Sequence, residues 1–335
     1  MKRNFLFLPL FFLLICIKSF AQDVSELQET AKTFLRKGDY ANASLVLNRA
    51  LQIDPKNLSV RKDLAVNYWL QKENEKGLNI IRPAIDRNDA DEKVFLIAAV
   101  IYKSANDFKE AEKVYKKGIK KFPGSGVLYN DYGESLWTQG DINAIKQWER
   151  GIEKDPEYSG NYFNAAKYYF FSTEKVWGLI YGELFVNMET FTSRTAEMKN
   201  ILFDGYKKLF SDPAYFNIRH DKENFESDFI ATMQKQLKVS GLGITVESLT
   251  MIRSRFILDW YEKLGKKFPF RLFEFQRQLL QEGLFDAYDQ SIFGIAQNLQ
   301  AYQNWTTTHP LEFTDFTRFQ KNRTFKISKG QYYHK

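Results

Sequence analysis

Three histidines are the residues of this chain with the widest range of chemistry: His220, His309 and His334. Their spacing contains no H-x-x-x-H or H-E-x-x-H pattern, which would place two imidazoles on one metal ion, so we expect no metal site. His220 precedes Asp221, and such a pair could act as a general acid and base, but no nucleophile motif accompanies it. The sequence therefore predicts no catalytic residue and no cofactor, and hence no enzyme.

An N-terminal segment has the features of a secretory signal peptide. Lys2 and Arg3 precede an apolar run at residues 5–17, and Ser19 and Ala21 supply the small side chains of a cleavage site. As a helix, the run would be about 20 Å long, which is short of the roughly 30 Å of a bilayer core. We therefore interpret this segment as a signal peptide that ends at Ala21, and we expect the protein to be exported.

Cysteine content and charge narrow the compartment and the class of partner. The one cysteine, Cys16, lies inside the signal segment, so the exported chain would have no disulfide and no thiolate. Such a chain fits a bacterial periplasm, and Ile15 before Cys16 argues against a lipoprotein signal, which places a small residue there. The formal charge of +7 falls to +4 without the three cations of the signal, which is too mild to favour nucleic acid.

Residues of matching type recur at a fixed step in the first half of the chain. Four series share a step of 34 residues: Ala31, Ala65 and Ala99; Ala43, Gly77 and Ala111; Ala50, Ala84 and Gly118; and the aromatic series Phe34, Tyr68 and Tyr102. Pro55 and Pro123 follow the second apolar run of their units, where a proline ends a helix. The pattern predicts two helices per unit, with small residues where the helices approach closely.

This pattern resembles the tetratricopeptide repeat, a helix–turn–helix unit of the same length. The resemblance implies an all-α fold, in which a right-handed α-solenoid of stacked units is followed by an irregular all-helical C-terminal region. The predicted organisation has four parts: a signal peptide at 1–21; a repeat array at 22–190, with units at 24–57, 58–91, 92–125 and 126–158 and a degenerate unit at 159–190; a helical region at 191–311; and a basic aromatic tail at 312–335.

The resemblance also implies a binding groove, because the first helix of each unit lines the concave face in this family. The groove residues that it indicates are Leu35, Lys62, Trp69, Lys103, Asn130, Trp137, Phe163 and Phe170. An aromatic stripe interrupted by Lys103 would suit a protein or peptide partner with apolar anchors and an acidic group. The same large residues could instead pack against the next unit or under the chain's own C-terminal segment, and the sequence leaves both alternatives open.

Helical periodicity persists after the 34-residue step is lost, at about residue 191. Thr245 is a predicted N-cap for a helix that extends to about Leu264. The stretches FPFRLFEFQRQLLQEG and LFDAYDQSIFGIAQNLQ predict two more helices. The C-terminal region is therefore expected to continue the helical array or to cap it.

The tail combines aromatic and basic residues. Phe313, Phe316 and Phe319 recur every third residue among lysines and arginines. These phenylalanines could contact an acidic membrane surface, or they could dock on the body of the protein while the charges stay solvated.

The sequence favours a non-enzymatic scaffold or adaptor of the cell envelope that binds a partner protein or peptide in the repeat groove. Two alternatives stay open. One is an enzyme whose active site lies in the C-terminal helices, and a pocket that joins His220 to several acids would favour it. The other is an envelope- or membrane-associated structural protein held by the tail.

Overall fold

The computed structural model describes residues 24–217, 224–241 and 243–334. Within these ranges the chain forms helices and connecting segments and contains no β-strand, which confirms the predicted all-α class. The described residues fall into two compact units, one that ends at Pro123 and one that begins at Gly124. The predicted signal peptide with Cys16, and His220, lie outside the described residues.

The first unit consists of consecutive helix pairs, the arrangement typical of an α-solenoid. Its helices are α1 (residues 24–36), α2 (Tyr40–Ile53), α3 (Leu58–Leu70), α4 (Asn74–Ile85), α5 (Glu92–Ser104) and α6 (Phe108–Lys121). Four of them begin after an Asp or Asn whose side chain accepts a hydrogen bond from a backbone N–H of the first turn: Asp39, Asn57, Asp91 and Asp107. These caps satisfy donors that a helix leaves unpaired, so the starts of these helices are encoded locally.

The turn inside each of the first four helix pairs contains a residue in the left-handed region, and these residues keep the 34-residue step. They are Gly38 (φ 74°), Lys72 (φ 62°), Asn106 (φ 59°) and Gly140 (φ 74°). In each turn the next residue donates its backbone N–H to a carbonyl oxygen five residues earlier, at 2.9–3.0 Å. A left-handed residue after a helix closes it with such a bond, and the same local geometry therefore builds these four turns.

Small residues lie where the helices of the first unit touch. The alanines at the predicted close approaches are fully buried: Ala31, Ala43, Ala50, Ala65, Ala84, Ala99 and Ala111. A Cβ atom added to Gly77 would lie 3.1 Å from the carbonyl oxygen of Ala65 and 3.2 Å from Cδ1 of Ile101. Larger side chains would push these helices apart, which explains why the sequence repeats small residues at this step.

The second unit begins with two further helix pairs: α7 (Gly126–Thr138) with α8 (Ala144–Lys154), and α9 (Ser159–Phe170) with α10 (Lys175–Met188). The elements that follow vary more in length: α11 (Ser193–Phe210), a 3-10 turn (Pro213–Asn217), α12 (Phe225–Gln234), α13 (Leu237–Ser240), α14 (Val246–Lys263), α15 (Arg271–Gln281), α16 (Phe285–Asp289), a π-helical turn (Gln290–Gly294), α17 (Ile295–Gln297), α18 (Leu299–Thr308) and α19 (Pro310–Lys321).

An aromatic core holds α12, α14 and α15 together. The fully buried ring of Trp260 lies 5.3 Å from the ring of Phe225 and 5.0 Å from that of Phe273, measured between centroids. Thr245 caps α14 as predicted: its side chain accepts from the backbone N–H of Ser248, and the Ser248 hydroxyl accepts from that of Thr245. The cap and the core together fix where α14 begins and which face it buries.

The stretch predicted as one helix, LFDAYDQSIFGIAQNLQ, is divided in the structure. It contains α16, the π-helical turn and α17, and the backbone becomes extended at Asn298 (φ −164°). The Asn298 side chain accepts from the backbone N–H of Ala301 at 2.9 Å and so starts α18. The division therefore has a local cause, since asparagine is a favoured N-cap.

The tail docks on the second unit through part of its aromatic series. Phe316 and Phe319 are buried, and Phe313 is 37% exposed. The basic side chains Lys321, Arg323, Lys326 and Lys329 are exposed. Among the described residues, no helix combines the length and the apolar character needed to span a bilayer.

Candidate partner-binding surface

The eight predicted groove residues all lie on the first helices of their pairs, on α1, α3 and α5 in the first unit and on α7 and α9 in the second. In each unit, we call the side of these helices that carries the predicted residues the first-helix surface. In the first unit it holds Leu35, Lys62, Trp69 and Lys103. Nε1 of Trp69 donates to Oγ of Ser104 at 2.6 Å, and this bond links α3 to α5 and fixes the orientation of the indole.

The two lysines of this surface differ in how their charges are compensated. Nζ of Lys62 forms an ion pair with Asp91. Nζ of Lys103 lies 5.9 Å from the ring centroid of Tyr115, and no carboxylate of the described residues lies within ion-pair distance of it. Lys103 therefore offers a positive group that an acidic side chain of a partner would neutralise.

In the second unit, hydrogen bonds join α7 to α9 across the first-helix surface. Nδ2 of Asn164 donates to Oδ1 of Asn130 at 2.9 Å and to Oε1 of Glu134 at 3.0 Å. Nδ2 of Asn130 donates to the same carboxylate at 2.9 Å. Asn164 directly follows Phe163, the position that the repeat register indicates, and the sequence prediction omitted it. The exposed carboxylate of Glu134 keeps acceptor capacity for a partner's donors.

Trp137 is the most exposed ring among the predicted groove residues. Its side chain is 48% exposed. The ring lies 6.1 Å from that of Trp148 and 5.7 Å from that of Tyr168, between centroids. A half-exposed indole that rests on two other rings is suited to anchor an interface, because its apolar face is available and its position is fixed.

The two phenylalanines at the end of the predicted stripe are covered by other side chains of the second unit. Phe163 is 7% exposed, with the Phe185 ring 5.0 Å from it and Nζ of Lys167 above it at 5.0 Å. Nζ of Lys208 lies 3.6 Å from the ring centroid of Phe170. At these two positions the large residues contribute to the packing of the unit, which was one of the two alternatives that the sequence left open.

The C-terminal segment, residues 322–334, packs on another part of the second unit. Tyr333 stacks on Phe225 with 4.8 Å between ring centroids, and its hydroxyl donates to the Pro269 carbonyl at 2.7 Å. Lys326 forms an exposed ion pair with Glu157. Among the described residues, no hydrogen bond, ion pair or ring contact of this segment reaches Asn130, Trp137, Phe163 or Phe170. None of these contacts of the C-terminal segment therefore covers the half-exposed Trp137 indole.

His334 fastens the end of this segment between two carboxylates. Nδ1 lies 2.7 Å from Oε1 of Glu149, and Nε2 lies 3.0 Å from Oε2 of Glu174. The Tyr169 hydroxyl donates to Glu149 at 2.5 Å, and the Trp177 ring packs edge-on against the imidazole. Burial disfavours the imidazolium, but hydrogen bonds and charge from the two carboxylates outweigh it, so the pKa of His334 is raised.

We expect His334→Gln to destabilise the second unit by roughly 1 kcal/mol at about pH 6, and by progressively less as the pH rises. A raised pKa means that the folded state binds the proton more tightly than the unfolded state. The stabilisation is therefore complete below the unfolded pKa of about 6.5 and is lost as the pH rises through the folded value. Urea unfolding of both proteins over this range measures it, and a difference that grows with pH would contradict it.

The second unit also contains a buried charge cluster that the sequence analysis did not predict. Arg253 on α14 is 2% exposed and pairs with Glu183 on α10 and with Asp289 on α16. Glu183 also accepts from Nε2 of Gln276 at 2.5 Å and from the Tyr288 hydroxyl at 2.8 Å. Burial raises the pKa of Asp289 to about 7, while the adjacent guanidinium acts in the opposite direction.

This cluster lacks the space that chemistry on a substrate needs. The void beside Arg253 and Glu183 measures about 10 Å³, which is room for about one water molecule. The cluster joins four helices, since Gln276 lies on α15, and its geometry suits a structural role. Among the described residues, no group of three or more His, Asp or Glu side chains could hold a metal ion.

Two tetratricopeptide-repeat family models match the chain, one at residues 34–101 and one at residues 93–120. Residues 34–120 of this chain therefore contain tetratricopeptide repeats. The matched residues include Leu35, Lys62, Trp69 and Lys103, the four groove residues predicted in the first unit. Tetratricopeptide repeats are typically non-enzymatic modules that build surfaces for protein–protein interaction, so this family supports an interaction scaffold.

The chain is also similar to solved structures at low sequence identity. PilF of Pseudomonas aeruginosa is 15% identical, with a TM-score of 0.48, over 59% of this chain and 90% of that one. TTC0263, a tetratricopeptide protein of Thermus thermophilus, is 12% identical, with a TM-score of 0.43, over 53% and 98%. MamA is 14% identical, with a TM-score of 0.38, over 54% and 96%. No curated protein matches the chain.

Proposed function

We propose that this protein is an exported scaffold or adaptor of the cell envelope that binds a partner protein or peptide through its first-helix surface. The observation that carries the proposal is Trp137, a half-exposed indole that two other rings hold in place on a repeat helix. Indole side chains in such positions contribute a large share of the binding energy in protein interfaces.

The polar groups around the two tryptophans indicate the chemistry of the partner. Lys103 has no acidic partner of its own among the described residues and would pair with an Asp or Glu. Glu134 and the two asparagines that bind it offer hydrogen bonds to an extended backbone. We therefore expect a segment with apolar anchors, at least one acidic side chain and free main-chain groups.

The proposed compartment is supported by the N-terminal sequence alone. Two cations, an apolar run and a small-residue cleavage site precede the repeats, and the chain after the signal contains no cysteine. These features support export to a bacterial periplasm. Fractionation of expressing cells, with the first residue of the secreted form determined, tests this part of the proposal.

Pull-down from cross-linked cell envelopes tests the binding surface. We expect Trp69→Ala and Trp137→Ala, alone and combined, to weaken capture of a discrete partner, by about 30-fold for a single anchor residue. The matched control is Leu45→Ala combined with Ile142→Ala, which removes one exposed apolar side chain from each unit outside the first helices (68% and 70% exposed). The control should capture the partner as well as the unaltered chain.

Equal loss of capture in the control would show that exposed apolar area in general, and not the first-helix surface, holds the partner. Unchanged capture by the double tryptophan variant would overturn the proposed surface. Circular dichroism of each variant separates lost binding from lost folding.

A further inference from the structure

A pocket of about 200 Å³ lies in the second unit, apart from the eight groove residues. The end of α10, the start of α15 and the segment that follows α19 form its walls. Its described lining contains two arginines, Arg271 and Arg323, and no acidic side chain. By the volume that one water needs, the pocket has room for on the order of ten to fifteen non-hydrogen atoms. The volume of this pocket is about twenty times that of the void beside Arg253.

Arg271 gives this pocket a positive charge that the described residues leave unpaired. The side chain is partly buried, and no carboxylate of the described residues lies within ion-pair distance of it. Its guanidinium carbon lies 5.5 Å from the ring centroid of Phe325. Arg271 is also the first residue of α15, so the positive end of that helix adds to the local potential. A partly buried cation without a counter-charge is costly, and an anion in the pocket would remove that cost.

Arg323 supplies the second guanidinium of the lining. Its guanidinium carbon lies 4.2 Å from the ring centroid of Phe319. Its Nη2 lies 3.5 Å from Oε1 of Glu282, and both members of this ion pair are exposed. An exposed ion pair at that distance contributes little and exchanges readily. Arg323 is therefore free to turn towards a ligand that offers a better-placed carboxylate.

The rest of the lining is suited to an apolar body. Phe275 lies 5.8 Å from Phe319 and 5.3 Å from Phe325, between centroids, so the three rings form a continuous aromatic wall. Thr190 and Thr324 are also among the lining residues. A lining that combines three rings with two guanidiniums matches a molecule with an apolar end and an anionic end.

We propose that this pocket binds a small organic carboxylate, with its carboxylate between Arg271 and Arg323 and its apolar body against the phenylalanines. A guanidinium presents two parallel N–H donors, which fit the two oxygens of a carboxylate. The residues at 319–325 form one wall, so an occupied pocket would also hold the C-terminal segment in place. This site is independent of the first-helix surface, and either proposal can fail without the other.

Calorimetric titration of the full chain with three probes tests the site. Phenylacetate carries the proposed chemistry, phenethyl alcohol is its neutral counterpart, and phenyl phosphate carries the same ring on a phosphate. We expect phenylacetate to bind and phenethyl alcohol to bind at least about tenfold more weakly, because charge-assisted hydrogen bonds are the strong ones. Arg271→Gln should weaken phenylacetate at least about tenfold, and Arg323→Gln should weaken it less.

Arg277→Gln is the matched control for Arg271→Gln. It removes an exposed guanidinium from the same helix, where Arg277 stacks on Tyr261 outside the pocket (4.5 Å), and should leave phenylacetate affinity within about twofold. Thermal unfolding of each variant verifies that it is folded. No binding of phenylacetate at millimolar concentration, equal binding of phenethyl alcohol, equal loss in Arg277→Gln and Arg271→Gln, or binding of phenyl phosphate alone would each overturn the proposal.

Discussion

Replacing Arg253 by leucine is expected to lower the free energy of unfolding of the second unit by about 3–5 kcal/mol. The substitution leaves Glu183 and Asp289 buried beside each other without their shared cation. Removing one partner of a buried ion pair is far more costly than never having built the pair, because the remaining charge has no solvation. Chemical unfolding followed by tryptophan fluorescence measures the loss.

The loss should depend on pH in a defined direction. Burial already raises the pKa of Asp289 to about 7, and without Arg253 the opposing interaction disappears, so the carboxyl will hold its proton to higher pH. A carboxyl with a raised folded pKa costs stability as the pH rises above its unfolded value of about 3.9. Below about pH 7 the Asp289 carboxyl keeps its proton in both proteins, so the deficit of Arg253→Leu is expected to grow as the pH rises above about 7.

Two further variants complete this test. Arg255→Leu removes an exposed guanidinium from the same helix and should change stability by no more than about 0.5 kcal/mol. Arg253→Leu combined with Glu183→Gln and Asp289→Asn should recover part of the loss, because no buried charge remains. If the free energy of unfolding of Arg253→Leu alone lies within about 1 kcal/mol of that of the unaltered protein at neutral pH, the cluster is not buried in solution.

Gly133→Ala is expected to destabilise the second unit by about 1–3 kcal/mol, although alanine favours helices more than glycine does. An added Cβ would lie 2.3 Å from Nε1 of Trp148, a ring that is 2% exposed and that donates to the carbonyl of Asn130. The indole or the helix must move, and that movement would carry to Trp137, whose ring rests on Trp148.

Gly124→Ala is the matched control, because a Cβ there meets no atom within 4 Å. It should leave the free energy of unfolding within about 0.5 kcal/mol of the unaltered protein. Thermal unfolding compares the two variants, and near-ultraviolet circular dichroism reports the environment of the tryptophans. Equal stability of the two variants would mean that α7 and α8 are further apart than the structure places them.

Much of the helical order could be predicted because it is encoded within short stretches. The stretch FPFRLFEFQRQLLQEG contains α15, and Thr245 caps α14, since a periodic apolar face and a capping side chain lie in one segment of sequence. At Gly38 and Gly140 the sequence indicates the left-handed turn position, because glycine adopts that conformation readily. It gives no such indication at Lys72 and Asn106, where the fold holds residues that tolerate that conformation less well.

The rest could not be predicted because it depends on contacts between distant residues. Glu183 precedes Arg253 by 70 positions and Asp289 follows it by 36, and no periodicity connects the three. The docking of His334 against Glu149 spans nearly the whole second unit. For the first-helix surface, the repeat step assigned the eight residues to the first helices of their pairs, where the structure has them. Whether a ring such as Phe163 is covered depends on neighbours that the step does not describe.

The recurring left-handed turns bear on how such a protein changes during evolution. Each turn closes with backbone hydrogen bonds inside its own helix pair, so no turn depends on the identity of a neighbouring pair. An in-frame duplication or deletion of 34 codons would therefore leave every remaining turn intact. Selection could lengthen or shorten the array one helix pair at a time, and each step would add or remove one set of surface positions without a new fold having to arise.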